Sequence, residues 1–495
     1  MNYRPRLFKS RLLLSATGLL LLLYLGSFGV SRLRKVNTNT TINYCVPFRH
    51  DTVPFISQVP PDVGGRYIPI GSSQNDLNTF AWWEFVALNW CDAEGGFFGK
   101  PYDTLHPVQW QTYITLDQLF PPNGTAPPAW NKLSDEKKLV QLNGKSAYTS
   151  LAVMKDASKV SIEMLSRFDS TIIDTNGAGQ AAPRHGPSWL GAQNSTNVWY
   201  EIRLNKDLYD YVVKNKFYNA DNQLAYVQKG SRMSLPFGTA NTDTVGALEL
   251  KAAWMEVNDI KNPKWSRYKL TKAIVQDMNT GQYRPVILAL VGLHILHKTR
   301  LQQAWTWATF EHVDNAPDSG TVADKSRTYN FNNPSCGTCK ENQPPSYYLV
   351  PGGPKPKPIQ VSRVSPIDGI ASYTNQQVQR CIQQFYPGSV WQYYQLVNVI
   401  WSQSGNASGN NNLHTPLNTG YLTQPTMNVA NTTLESYAQT FTCFNCHRGA
   451  TVAGSDTYSS DFSFSMGAAS SPALQLKKNM RLKKLIMMEK KLTAQ

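Results

Sequence analysis

The chain reads as an α+β protein: an antiparallel, β-rich body, then a helical segment, with an apolar helix ahead of both. Three observations predict this class. Four runs rich in Val, Ile, Leu, Tyr and Trp fill residues 247–313 and are joined by short polar links, the pattern of strands paired as hairpins. Leu12–Val30 is a predominantly apolar, uncharged run behind Arg4, Arg6, Lys9 and Arg11. Residues 366–470 carry helical apolar spacing and end near Cys443-Phe444-Asn445-Cys446-His447.

Taken in order, residues 1–35 are expected to form a signal anchor. A basic flank and about 19 apolar residues are enough to export the chain and to cross a bilayer once. A cleaved signal peptide is the alternative, because Ser27 and Gly29 are small and Arg32, Arg34 and Lys35 follow at once. Either way the body is expected outside the cytoplasm, in the periplasm of a single-pass membrane protein.

Residues 36–314 are the expected body domain. Asn75-Asp76 precede helical spacing through FAWWEFVALNW (80–90), so the helix is expected to start there. VWYEIRLN (198–205) alternates as a strand does, and LNKDLYDYVVKNKF has helical spacing. ALELKAAWMEV (247–257), YKLTKAIVQD (268–277), PVILALVGLHILH (285–297) and AWTWATFEHV (304–313) read as strands. The third is apolar on both faces and is expected to be central and covered. A β-sandwich or jelly roll would accommodate such strands.

Residues 315–365, dense in Pro, Gly, Ser and Lys, read as a linker. In residues 375–403 two helix-like pieces are split at Pro387-Gly388. Thr432-Thr433-Leu434-Glu435 matches a capping box and predicts a helix running into the Cys443 motif. Residues 471–495 form a basic tail. The net charge of +15 is an end effect. The seven basic residues of 1–35 and the net six of 474–495 leave about two for the rest, which argues for membrane contact and against a nucleic-acid groove.

C-x-x-C-H is the attachment pattern of c-type haem. Two thiols would form thioethers with the vinyl groups, and His447 would give the iron an imidazole ligand. Cys443, Cys446 and His447 are therefore the candidate cofactor-binding residues for one covalent haem c. Of the remaining five cysteines, Cys336-Gly337-Thr338-Cys339-Lys340 resembles a lysine variant of the haem pattern, but its loop setting favours a disulfide. The second axial ligand is open. Met466 is the ordinary candidate and His294 the alternative, with Met427 and Met480 as further methionines. His294 and His297, three apart on a strand, are expected to face opposite ways. Trp305, Trp307, Glu311, His312 and Asp314 form a further dense cluster that offers a polar, haem-facing site. No nucleotide-binding, zinc-protease or hydrolase-elbow pattern occurs.

The chain resembles an uncharacterised family of bacterial exported cytochrome c-like proteins with one C-terminal CxxCH motif. FAWWEFVALNW (80–90), ALELKAAWMEV (247–257), GLHILHKT (292–299), WTWATFEHVDNAPD (305–318), NTTLESYAQTFTCFNCH (431–447) and DFSF (461–464) carry the likeness. It implies one covalent haem on a large body unlike that of small cytochromes, and no known substrate. The expected function is electron transfer to an unidentified redox partner protein. A peroxidase-like haem oxidoreductase and a haem-dependent sensing or binding protein are the alternatives.

Overall fold

The computed structural model describes residues 45–480 apart from 46–48, 51–52, 65–72, 92–97, 100–104, 136–137, 143–144, 150–151, 156–189, 241–243, 277–282, 322–323, 344–357, 403–412, 415–422, 425–427, 441 and 478–479. The N-terminal apolar run and most of the basic tail lie outside the described residues. Among the described residues, no helix is long and apolar enough to cross a membrane.

Five helices and nine strands carry the argument. Helix α1 (Gln74–Leu88) is followed by strands β1 (Lys138–Leu142), β2 (Lys145–Thr149), β3 (Ala152–Lys155) and β4 (Val198–Leu204). Then come α2 (Lys206–Lys214), α3 (Ala220–Gln228), β5 (Leu248–Glu256), β6 (Leu270–Gln276), β7 (Tyr283–His297) and β8 (Thr306–His312). The last elements are α4 (Gly369–Phe385), β9 (Tyr394–Ser402) and α5 (Cys443–His447). The four strands expected between 247 and 313 are β5 to β8.

The sheet is one curled, mostly antiparallel layer rather than a sandwich, in the order β9-β8-β7-β5-β4-β3-β6. Its curl comes from β7. The 15-residue strand pairs with β5 along Leu288–His297 and with β6 along Tyr283–Ala289. Because β6 also pairs in parallel with β3, and β3 meets β4, the pairings β7-β5-β4-β3-β6 return to β7 and close a ring. The β1–β2 hairpin joins β7 at Tyr283. As expected, residues 288–297 of β7 are buried throughout.

Period-two alternation gives the sheet two different faces. Leu248, Leu250, Ala252 and Trp254 of β5, Leu293 and Ile295 of β7, and Ala308 and Phe310 of β8 pack with α1 and α4. Helix α1 is buried on every side from Leu77 to Leu88, as an internal helix must be when it is apolar all round. Its cap is Ser73, whose hydroxyl accepts from Asp76 N at 3.2 Å, so the helix starts earlier than Asn75-Asp76 predicted. The opposite face presents Glu249, Lys251, Ala253, Gly292, His294, Leu296, Trp307 and Thr309.

Three expectations are corrected. Residues after Pro387-Gly388 form strand β9, not a second helix. YQLVNVIWS is rich in β-branched and aromatic residues, and both its faces are covered beside β8. The 366–470 segment is therefore not uniformly helical. Thr432–Glu435 forms turns, not a helix. Asn431 is the cap there, taking Thr433 N at 2.9 Å, while Thr432 N and Oγ1 are drawn off to Glu311 of β8. Finally, the described parts of 315–365 pack on the body. Phe331 and Val361 are fully buried, and Arg363 pairs with Glu311 and Asp318. Disulfides join Cys45 to Cys381 and Cys336 to Cys339, and Cys91 is the odd buried thiol.

Candidate functional site

Helix α5 is little more than one turn, and this places the motif. Cys443, Cys446 and His447 stand at positions i, i+3 and i+4, so they share one helix face. The cysteines are half-buried and carry no disulfide. Phe444 anchors the turn in an apolar cluster with Leu296, Trp307, Val452, Phe462 and Met466. The motif thus lies on the sheet face opposite α1.

His447 is held by three groups. The Trp307 ring centre lies 4.7 Å from its own and the Phe464 ring 4.8 Å away, both edge-on. The Phe462 carbonyl lies 2.8 Å from Nδ1. A carbonyl only accepts, so Nδ1 carries the proton and Nε2 keeps its lone pair. Burial pushes the imidazole pKa down to about 3, against the Phe462 hydrogen bond. The ring is therefore neutral near pH 7, the form in which it binds a metal.

The sheet beneath carries ionisable side chains. Lys251 and His294 are register partners on β5 and β7, and His294 Nε2 lies 3.2 Å from Glu435 Oε2. Lys251, His294 and Glu435 all act electrostatically on His447. Burial, then Glu435 and Cys446, push the Cys443 thiol pKa up. A nucleophilic or thiolate-metal cysteine needs the reverse shift. The turn bearing Glu435 can lie this close because position 292 is glycine: a Cβ there would overlap Thr433 Oγ1.

These observations test the fit of a c-type haem. One turn of helix carries both thiols, the neutral histidine follows, its Nδ1 donates to a backbone carbonyl, and Nε2 stays available. Residues Cys443, Cys446 and His447 fit the group. Among the described residues, no cluster of three or more His, Cys, Asp or Glu is arranged to hold a metal ion. A haem iron draws four ligands from its porphyrin and needs no such cluster.

The other expectations divide. His294 faces the motif side and His297 the α1 side, where it meets Glu84 and stacks on Phe80 at 5.8 Å. Met466 is fully buried in the cluster that anchors Phe444, and its carbonyl accepts from Gln223 Nε2 at 3.0 Å. Met427 lies outside the described residues, and Met480 is exposed in the tail. Glu311 and His312, as strand neighbours, point apart. Glu311 binds Arg363 and Thr432, and His312 stacks on Tyr268 at 3.8 Å, so the two form no joint site. Of that cluster, Trp307 touches the motif. Glu249 and Lys251 carry no sequence signal for this site, and Glu435 reads from the sequence only as a capping-box residue. Phe462 of the DFSF block supplies the carbonyl on His447. Comparison with protein-family models, curated proteins and solved structures found no match for this chain.

Proposed function

We propose that this is an exported c-type haem protein, held at the membrane by its N-terminal segment, that transfers electrons through one covalent haem on Cys443, Cys446 and His447. The observation that carries this reading is the Nδ1 hydrogen bond of His447 to Phe462, which leaves Nε2 as a ligand. The haem would supply a one-electron couple; the chain orients its ligand and shields it with Trp307 and Phe464. His294 is favoured over Met466 as the second axial ligand, because it stands among the groups whose charge acts on His447. Met466 has a sufficient role as packing. The likeness to exported cytochrome c-like proteins and the apolar run Leu12–Val30 support the same reading.

A haem oxidoreductase is the second reading. Buried His294 and Glu435 and half-buried Lys251 beside the motif offer proton-handling groups that a simple carrier does not need. Absorption spectra of the exported protein, ferric, ferrous and ferrous with carbon monoxide, separate the two. Electron transfer predicts one haem per chain and a low-spin spectrum that ignores the gas. A five-coordinate iron that binds it favours the enzyme. A chain with no covalent haem overturns both.

A further inference from the structure

The turn that touches His447 is strained and heavily fixed. Asp461 and Phe462 are consecutive non-glycine residues with φ of 58° and 69°. Such conformations persist where surrounding bonds over-determine them. Trp305 Nε1 donates to Asp461 O at 3.2 Å. The Asp461 carboxylate takes Leu235 N at 2.8 Å and pairs with Lys298. Ser460 Oγ donates to Ser463 O at 2.7 Å. On the sheet side a single residue grips the turn twice. Ser463 Oγ donates to Glu249 Oε1, and Ser465 Oγ to Oε2 at 3.0 Å. The two serines flank Phe464, whose ring faces His447.

We propose that Glu249 is a positioning residue for the haem ligand: through Ser463 and Ser465 it holds the Asp461–Phe462 turn on His447. The inference rests on the haem reading above. A firm Nδ1 hydrogen bond makes an imidazole a more basic ligand and so favours oxidised iron.

The test compares the holoprotein with Glu249→Gln, and with Ser463→Ala and Ser465→Ala combined. Two quantities are read: solvent exchange of the His447 Nδ1 proton in the ferrous protein, and the reduction potential at one pH. The double serine variant should exchange the Nδ1 proton about 10-fold faster or more, since exchange follows local opening, and its potential should rise as the imidazole becomes a less basic ligand. Glu249→Gln should move both readouts in the same direction by less, since an amide keeps only one of the two acceptor oxygens. Unchanged exchange in the serine variant overturns the clamp. If Glu249→Gln does not fold, the serine variant decides. Absence of covalent haem in the unsubstituted protein would sink the haem reading instead, which a haem assay on that protein tells apart.

Discussion

His294 and His297 stand three residues apart on one strand and meet opposite worlds. His297 is sealed between Glu84 and Phe80 of α1 and the Val245 carbonyl, in a face otherwise built from aromatic and aliphatic side chains. His294 faces Glu435 under the CxxCH turn, with Lys251 beside it and Glu249 one alternation further along β5. Both faces are buried, so burial alone does not set them apart. On the α1 face the imidazole and one carboxylate oxygen bind each other, while Glu84 Oε2 has no hydrogen-bond partner among the described residues, and the pair fixes α1 against the sheet. On the motif face, several ionisable groups crowd the half-exposed His447 imidazole, and burial pushes the Glu249 pKa up to about 7. Charges buried at this density mark a functional site more often than a packing accident.

The sharpest way to break this contrast is to remove the thiols. Cys443→Ala with Cys446→Ala should abolish covalent haem altogether, read by haem staining of the denatured chain. Glu84→Ala, on the opposite face, should leave haem attachment intact. Full covalent haem in the double variant would show that the motif is not the site.

The next effect belongs to the sealed face. Glu84→Ala leaves His297 buried without its carboxylate, and breaking a buried pair costs about 3–5 kcal/mol. Chemical denaturation should show a loss of that order. A loss below about 1 kcal/mol would mean that the imidazole is neutral and content with the Val245 carbonyl.

Glu249 gives a smaller effect whose sign depends on pH. Its pKa rises from an ordinary 4.5 to about 7 on folding, so the native state binds this proton more tightly than the unfolded chain. The stability so gained is complete below pH 4.5 and is lost as pH rises through about 7. At one pKa unit per 1.36 kcal/mol, the difference is about 3 kcal/mol. Glu249→Gln stays neutral throughout. It should match the unsubstituted protein below pH 4.5 and exceed its stability by up to about 3 kcal/mol above pH 7, read as denaturation midpoints against pH. Equal midpoints at every pH would place the carboxylate in solvent.

Much of the contrast was legible in the sequence, and the exceptions have physical causes. Period two alone put His294 and His297 on opposite faces, and the apolar run through Leu288–His297 announced a covered strand. The ring was not legible. Closing it requires a parallel pairing of β3 with β6 across more than a hundred residues, which no local pattern encodes. Strand β9 was misread because Tyr394, Val397 and Trp401 recur at helical spacing while both faces of the strand are covered. Glu249 was not legible, because the serines that cover it arrive over two hundred residues later. The capping-box residues at 432–435 were polar for a real reason, but Glu311 and Asn431 engage them in a turn.

The short disulfide gives the smallest expected effect and sharpens the count of haems. Cys45–Cys381 closes a loop of 336 residues, whereas Cys336–Cys339 spans only three. Loop-closure entropy grows with the logarithm of loop length, so the long bridge should contribute about 5–6 kcal/mol and the short one about 2 kcal/mol at most. Cys336→Ser with Cys339→Ser should therefore shift the denaturation midpoint little. It should also leave haem content at one per chain, because these thiols are joined to each other and Lys340 lies in an exposed turn. A fall from two haems to one in that variant would instead make C-x-x-C-K a second attachment site.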